Sequence, residues 1–263
     1  MEALRRYPAV SDETVPDDPM WDPGNYVMLG RAGLDAIRLT MLCAQKGVPA
    51  SVLDFASGYG RVTRFLRVEY PDARIAVCDI DHRAVDFCAE RFGAEPIYGH
   101  EHPAEVEFSE PFDLVWVCSL FTHLDLPMWE EFFMFFERAI VPGGLLVFTV
   151  QGRAIRARLR DPSFGSYYLN SPERNRELAD SLDGFGFMEY DTTPEQRRAR
   201  QEPSRYGISL IEPAWLWHFL DRPTWKITSY IEDRWGGQDV VGAVRWEQGI
   251  RPFRQPLRHP NRD

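Results

Sequence analysis

The strongest constraint on the fold is an alternation that runs from Ser51 to Val150. Short apolar runs with strand character take turns there with segments of helical period. Ser51 to Phe55, Arg74 to Cys78, Pro96 to Tyr98, Asp113 to Cys118 and Leu145 to Val150 read as strands; Val62 to Tyr70, Arg83 to Phe92 and Pro127 to Ile140 read as the helices between them. Strands separated by helices cannot pair as hairpins, so the pattern predicts an α/β fold with a parallel, doubly wound sheet. Right-handed crossovers then bring every loop that follows a strand to one carboxyl edge, where ligands of such sheets bind.

On either side the rhythm differs. Residues 1–24 are rich in Pro, Asp and Glu and read as an irregular lead-in, followed by a helix between Asn25 and Lys46. After Gln151 the alternation breaks into short helical stretches, an Arg-rich segment and a polar run, so residues 151–211 read as an insertion. A helix at Pro213 to Asp221 precedes a strand from Trp225 to Glu232; the turn Arg234-Trp235-Gly236-Gly237 makes this strand and Gln238 to Trp246 a hairpin. The expected organisation is one domain over residues 25–246, followed by a Pro- and Arg-rich surface tail at 247–263.

Composition removes several function classes. Forty acids against 30 bases give a net charge of −10, which repels phosphate backbones and argues against a nucleic-acid partner. No run of about 18 apolar residues is present, so no membrane span is expected, and Met1 to Pro8 lacks the apolar stretch of a signal peptide. Cys43, Cys78, Cys88 and Cys118 show neither CxxC nor zinc spacing, and two of them fall inside strands, as expected of a reduced, cytoplasmic protein. The oligomeric state is not legible.

Ala56-Ser57-Gly58-Tyr59-Gly60 turns the first strand into a helix, an arrangement in which small residues let a ligand approach an electropositive helix N-terminus. Nineteen residues beyond Gly60, Asp79 ends the second strand, where a carboxylate can accept from two ribose hydroxyls. A nucleoside-containing ligand is expected. NAD is disfavoured, because a dinucleotide loop needs glycine at positions 56, 58 and 61 and this chain has Ala56 and Arg61. No Gly-Lys-Ser/Thr loop follows the strand either.

Val52-Leu53-Asp54-Phe55-Ala56-Ser57-Gly58-Tyr59-Gly60-Arg61 resembles the first motif of class I S-adenosylmethionine-dependent methyltransferases. Cys78-Asp79-Ile80-Asp81, the segment Phe112 to Leu124, and Val141-Pro142-Gly143-Gly144-Leu145-Leu146 resemble their later motifs, and the closing hairpin fits their antiparallel last strand. The resemblance covers about residues 25–246. It implies a Rossmann-like class I sheet, with Ala56, Gly58 and Gly60 along the methionine part of S-adenosylmethionine and Asp54 near its amino group. Asp79 would hold the ribose, Ile80 would pack on adenine, and the Cys118-Ser119 backbone would lie near the sulfonium. Tyr26, in a segment resembling one that folds over the cofactor, is a further contact. The chain departs from the family pattern at Ala56, which replaces a glycine, and after the third strand, where His100 or Glu101 stands in place of an Asp.

Methyl transfer is a direct displacement, in which alignment supplies much of the rate and a hydroxyl nucleophile gains from a general base. His123, five residues past the fourth strand, is the candidate base. Asp239, at the start of the antiparallel last strand, returns to the same edge as a partner of His123, a base, or a neighbour of Mg2+, whose ligands the sequence does not assign. Arg153, Arg156 and Arg160, at helical spacing, are candidates for anion binding or a solvated face. Tyr167, Tyr168, Tyr206, Trp215 and Trp217 offer flat surfaces for an acceptor, or a local core. The segments 119–124 and 235–240 most resemble bacterial members linked to sugar and polysaccharide tailoring, which points to O-methylation of a saccharide. The alternatives are a natural-product or other small-molecule O- or N-methyltransferase, and a non-catalytic scaffold that binds S-adenosylmethionine.

Overall fold

The computed structural model describes residues 10–15, 18–165, 167, 169–193, 195–196 and 205–246. The expected tail at 247–263, Tyr168 and the start of the lead-in lie outside the described residues.

Helix α1 (Tyr26–Cys43) leads into β1 (Ser51–Phe55), α2 (Thr63–Glu69), β2 (Arg74–Asp79), α3 (His82–Phe92), β3 (Glu95–Tyr98), β4 (Phe112–Val117), α4 (Leu126–Ala139) and β5 (Ile140–Val150). The insertion contributes α5 (Arg153–Arg160), α6 (Pro172–Ser181), β6 (Phe185–Glu189) and β7 (Gly207–Ile211); α7 (Pro213–Phe219), β8 (Trp225–Trp235) and β9 (Gln238–Arg245) close the chain. Seven strands form one sheet in the order β3-β2-β1-β4-β5-β9-β8. β1 to β5 are parallel, and β9 runs antiparallel to both β5 and β8. The alternation predicts the parallel part of this sheet, and the antiparallel last strand is the one that the family resemblance implies.

Alternate residues of the central strands face two cores. Val52, Val77, Leu114, Trp116 and Val147 pack with α1, α2 and α3 through Leu34, Ile37, Phe65, Val85 and Phe92. Leu53, Phe55, Val115, Val117 and Phe148 pack with α4 and α7. α4 is almost wholly apolar on its inner side, and Phe132, Phe133 and Phe136 join Phe121, Trp129 and Phe148 in an aromatic cluster. Its N-terminus is set by Asp125, whose side chain accepts from the Met128 amide at 3.0 Å. The insertion has a small core of its own, in which Ile155, Leu159, Leu178, Ile208 and Leu210 are buried.

The two-stranded β6–β7 ribbon is absent from the sequence reading, which has no strand between Gln151 and Ser209. Gly186 interrupts the apolar run of β6, and all but its last residue are only half-buried, so the period-2 signal is weak. β7 is the hinge between insertion and sheet: the Gly207 and Ser209 amides donate to the His123 and Thr122 carbonyls at 3.1 and 2.9 Å, and the Ile211 amide donates to Gln151 O at 2.9 Å.

Candidate active site

A cavity of about 360 Å³ opens at the carboxyl edge of β1, β2 and β4. Eight of the nine residues expected to hold the cofactor line it: Tyr26, Asp54, Ala56, Gly58, Asp79, Ile80, Cys118 and Ser119. His123, His100, Glu101 and Tyr206 line it too.

Gly60, the ninth, does not. It has φ +74°, and a methyl group there would stand 2.5 Å from Phe92 Cε2 and 2.9 Å from Cys88 Sγ. Its glycine character therefore serves the packing of α3 under the loop, a role that motif spacing does not separate from ligand contact. Ala56 adopts φ +57°, the left-handed conformation that its usual glycine would take without strain.

The loop is locked to the neighbouring strand through Asp79. Its Oδ2 accepts from the Gly58 amide at 2.8 Å and its Oδ1 from the Asp81 amide at 2.9 Å. Burial raises its pKa, against the pull of these amides. Asp54 is fully enclosed, accepts from Thr63 Oγ1 at 2.6 Å, and is pushed up to about 7, chiefly by burial. Burial lifts the Cys118 thiol to about 12, so it stays protonated at neutral pH and is no competing nucleophile for a methyl group. Ser119, at φ +54°, donates its amide to Thr149 Oγ1 at 2.8 Å and pairs its hydroxyl with the Gln238 side chain at 2.9 Å.

His123 is buried where the post-β4 loop meets β7. Its Nδ1 lies 2.9 Å from Gly207 O and 2.8 Å from the Tyr190 hydroxyl. A carbonyl only accepts, so Nδ1 carries the proton and Nε2 the lone pair. Burial lowers its pKa to about 4, which leaves the ring neutral at physiological pH. The Tyr206 ring lies 4.8 Å from it, at an interplanar angle of 35°.

Asp239 corrects another expectation. It reaches the carboxyl edge, paired with Val150, but it does not line the cavity. Its carboxylate accepts from the Tyr230 hydroxyl and the Asp233 amide, and lies so close to Gly152 that no side chain fits there. Its neighbour Gln238 is the residue that touches the cavity loop. No group of three or more His, Cys, Asp or Glu side chains converges among the described residues, and nothing there supports the expected Mg2+.

The arginines of α5 are structural as well. Arg153 pairs with Glu232, Arg156 with Glu212 and Arg160 with Asp180. Trp215 belongs to the core against Trp129, Phe185 and Phe219, Tyr167 packs on Phe164, and Trp217 is half exposed. Of the expected acceptor-stacking aromatics, Tyr206 alone lines the cavity among the described residues. The lead-in contributes Asp18, Pro19 and Met20 to the wall, and the glycine loop contributes Arg61, all four missed in the sequence. Asp18 sits in a segment with no periodicity to flag it, and Arg61 reads there only as a missing third glycine.

Residues 52–144 match the family model described as a methyltransferase domain. No curated protein matches the sequence. Among solved structures, an S-adenosylmethionine-dependent methyltransferase from Clostridium acetobutylicum is similar, at 12% identity and TM-score 0.55, covering 87% of this chain and 94% of its own. The N-methyltransferase NodS from Bradyrhizobium japonicum, complexed with S-adenosylhomocysteine, has 15% identity and TM-score 0.52, covering 94% and 98%. A Burkholderia thailandensis 1,6-didemethyltoxoflavin-N1-methyltransferase has 14% identity and TM-score 0.53, covering 88% and 93%. No described helix is long and apolar enough to cross a membrane. The chain is an enzyme of the methyltransferase class, with a methyltransferase domain at residues 52–144 and the overall fold of S-adenosylmethionine-dependent methyltransferases.

Proposed function

We propose that the cavity binds S-adenosylmethionine and that the enzyme methylates a hydroxyl of a small soluble acceptor, a saccharide or glycoconjugate being the class toward which the sequence points. The observation that carries this reading is the Asp79 bridge. One carboxylate ties the Gly58 loop to the end of β2 at the mouth of a cavity also lined by Asp54, Ile80 and Ser119. When bound, the cofactor supplies an electrophilic methyl on its sulfonium. The residues present fit it: Asp79 would hold the ribose, Ile80 would give adenine an apolar wall, and the left-handed Ala56 and Gly58 would offer backbone to the methionine end.

The acceptor reading rests on His123 and Tyr206. Its tautomer gives His123 an acceptor nitrogen, and a neutral imidazole with a pKa of about 4 is a weak base. Its role is to orient an acceptor hydroxyl by accepting its hydrogen bond, so alignment carries most of the rate; as the new C–O bond forms and the methyl–sulfur bond breaks, the hydroxyl proton passes along that hydrogen bond and on to solvent. The Tyr206 face beside it supports a flat acceptor ring, as sugars and aromatic compounds both present. The low basicity of His123 also favours a second reading, N-methylation of a small-molecule amine in its neutral form, whose lone pair attacks the methyl directly and whose product loses its proton to solvent afterwards.

The test is transfer of labelled methyl from S-adenosylmethionine to matched panels of saccharides, phenols and amines. Turnover on saccharides, lowered at least tenfold by His123→Gln, is the expected result. Turnover on amines alone moves the assignment to the second reading. Binding of S-adenosylhomocysteine without turnover on any panel contradicts the acceptor assignment.

A further inference from the structure

Three neighbouring strands meet on one residue of the cavity wall. Ser119 follows β4, Thr149 lies on β5 and Gln238 opens β9. The Ser119 amide donates to Thr149 Oγ1 at 2.8 Å, and Gln238 Nε2 donates to Ser119 Oγ at 2.9 Å. Gln238 is 4% exposed and pairs with Trp235 across the hairpin turn. Trp235 is anchored in turn, its Nε1 donating to Leu29 O of α1 at 2.9 Å, so sheet and helix together fix where the Gln238 amide stands.

Ser119 has φ +54°, a conformation that strains any residue with a side chain and that glycine would adopt freely. What serine adds there is a hydroxyl, with one proton to donate and two lone pairs. Gln238 Nε2 occupies one lone pair. Among the described residues the proton has one acceptor, Gln238 Oε1, at 3.4 Å; the 2.9 Å bond from Nε2 is the better formed of the two, and it leaves the proton to turn into the cavity that Ser119 lines.

His123 offers the opposite polarity on the same loop. Its amide closes a turn onto Leu120 O at 2.9 Å, so Ser119 leads into the turn and His123 ends it, and both line the cavity. Nε2 of His123 accepts, and the Ser119 hydroxyl donates.

We infer that Ser119 donates to a second oxygen of the acceptor, adjacent to the hydroxyl that His123 takes, so that the enzyme selects acceptors with oxygens on neighbouring carbons, and that Gln238 is the positioning residue that keeps Ser119 a donor. The inference rests on the hydroxyl-acceptor reading above and narrows it. Adjacent oxygens are what a sugar ring presents along its edge, and a site that donates to the second of them is left with an unpaired group by an acceptor that lacks it.

The test is transfer of labelled methyl from S-adenosylmethionine by the full chain to two pairs of isomers: trans-cyclohexane-1,2-diol against the trans-1,4-diol, and 2-methoxyphenol against 4-methoxyphenol. The members of a pair have the same atoms and the same number of hydroxyls, and differ in whether the two oxygens are adjacent. One hydrogen bond to the second oxygen is expected to give the wild type a preference of about fivefold in kcat/KM for the adjacent isomer of each pair. Ser119→Gly should bring that ratio to about one while raising the urea midpoint, because it deletes the hydroxyl and relieves the backbone. Gln238→Leu should lower the ratio to about two and leave S-adenosylhomocysteine affinity unchanged. Gln238→Glu, which accepts where glutamine donates, should draw the Ser119 proton away from the cavity and bring the ratio to about one. If Gln238→Glu does not fold, Ser119→Gly and Gln238→Leu decide. A wild-type ratio of one, or variants that lower both isomers equally and so keep the wild-type ratio, overturns the inference while leaving the hydroxyl reading standing. No transfer to any of the four compounds overturns the hydroxyl reading and the inference with it.

Discussion

Replacing Asp54 with asparagine is expected to stabilise the protein by an amount that grows as pH rises from about 4 to 7 and is complete above that. The carboxyl is fully enclosed, and burial raises its pKa from 3.8 to about 7. A carboxyl whose folded pKa lies above its unfolded value favours folding fully below about pH 4 and loses that contribution as pH rises through 7. At ~1.4 kcal/mol per pKa unit, a shift of about three units sets a ceiling of roughly 4 kcal/mol on the penalty at pH 8. Asparagine has nearly the same shape, never ionises, and its oxygen can still accept from Thr63, 2.6 Å from the present carboxylate. Urea denaturation of both proteins at pH 4.5, 6 and 8, compared pairwise so that other titrations cancel, should show Asp54→Asn ahead by about 1–4 kcal/mol at pH 8, by roughly two-thirds of that margin at pH 6 and by no more than about 1 kcal/mol at pH 4.5. A difference that does not change with pH would refute the reasoning, because it would mean that Asp54 carries the same charge in the folded and unfolded states.

Gly60→Ala forces a methyl group against Phe92 and Cys88 at φ +74° and should cost about 2–3 kcal/mol in urea denaturation, whereas Gly58→Ala, with open space at its Cβ, should cost only the strain of its φ, about 1 kcal/mol. Asp125→Ala removes the cap of α4 and should cost about 1 kcal/mol by the same assay. His123, held near 4, should leave kcat/KM without an inflection at its ordinary value of 6.5; Tyr190→Phe, which removes a hydroxyl partner of Nδ1, should shift the acid limb and KM while leaving S-adenosylhomocysteine binding unchanged. Its depressed pKa also means that His123 costs stability as pH falls from 6.5 toward 4, an effect that His123→Gln should remove in pH-dependent denaturation.

The sheet was legible because its strands are apolar on both faces and its helices on one, so the change of period marks each boundary. Asp79, Ile80 and Ser119 were legible for the same reason: the residues just past each parallel strand must meet at the carboxyl edge. Long-range choices were less legible. Whether Gln238 or Asp239 meets Ser119 of the cavity loop depends on a one-residue register that the hairpin turn sets. Gly60 and Gly58 look alike in sequence, and only the proximity of Phe92 distinguishes packing from ligand contact. Arg153, Arg156 and Arg160 share a helix in sequence, but their acids come from β8, α6 and the residue before α7, so their neutralisation has no local signal. Asp18 reaches the cavity wall only because the lead-in folds back over the loop.

The most direct test of the central claim is calorimetric titration of S-adenosylhomocysteine into the wild type and Asp79→Asn, the latter confirmed as folded by denaturation. The account predicts one-to-one binding to the wild type, weakened at least tenfold in the variant, whose side chain keeps an acceptor for the Gly58 amide but lacks the charge that holds the ribose hydroxyls. No binding to the wild type, or binding indifferent to Asp79, would contradict it.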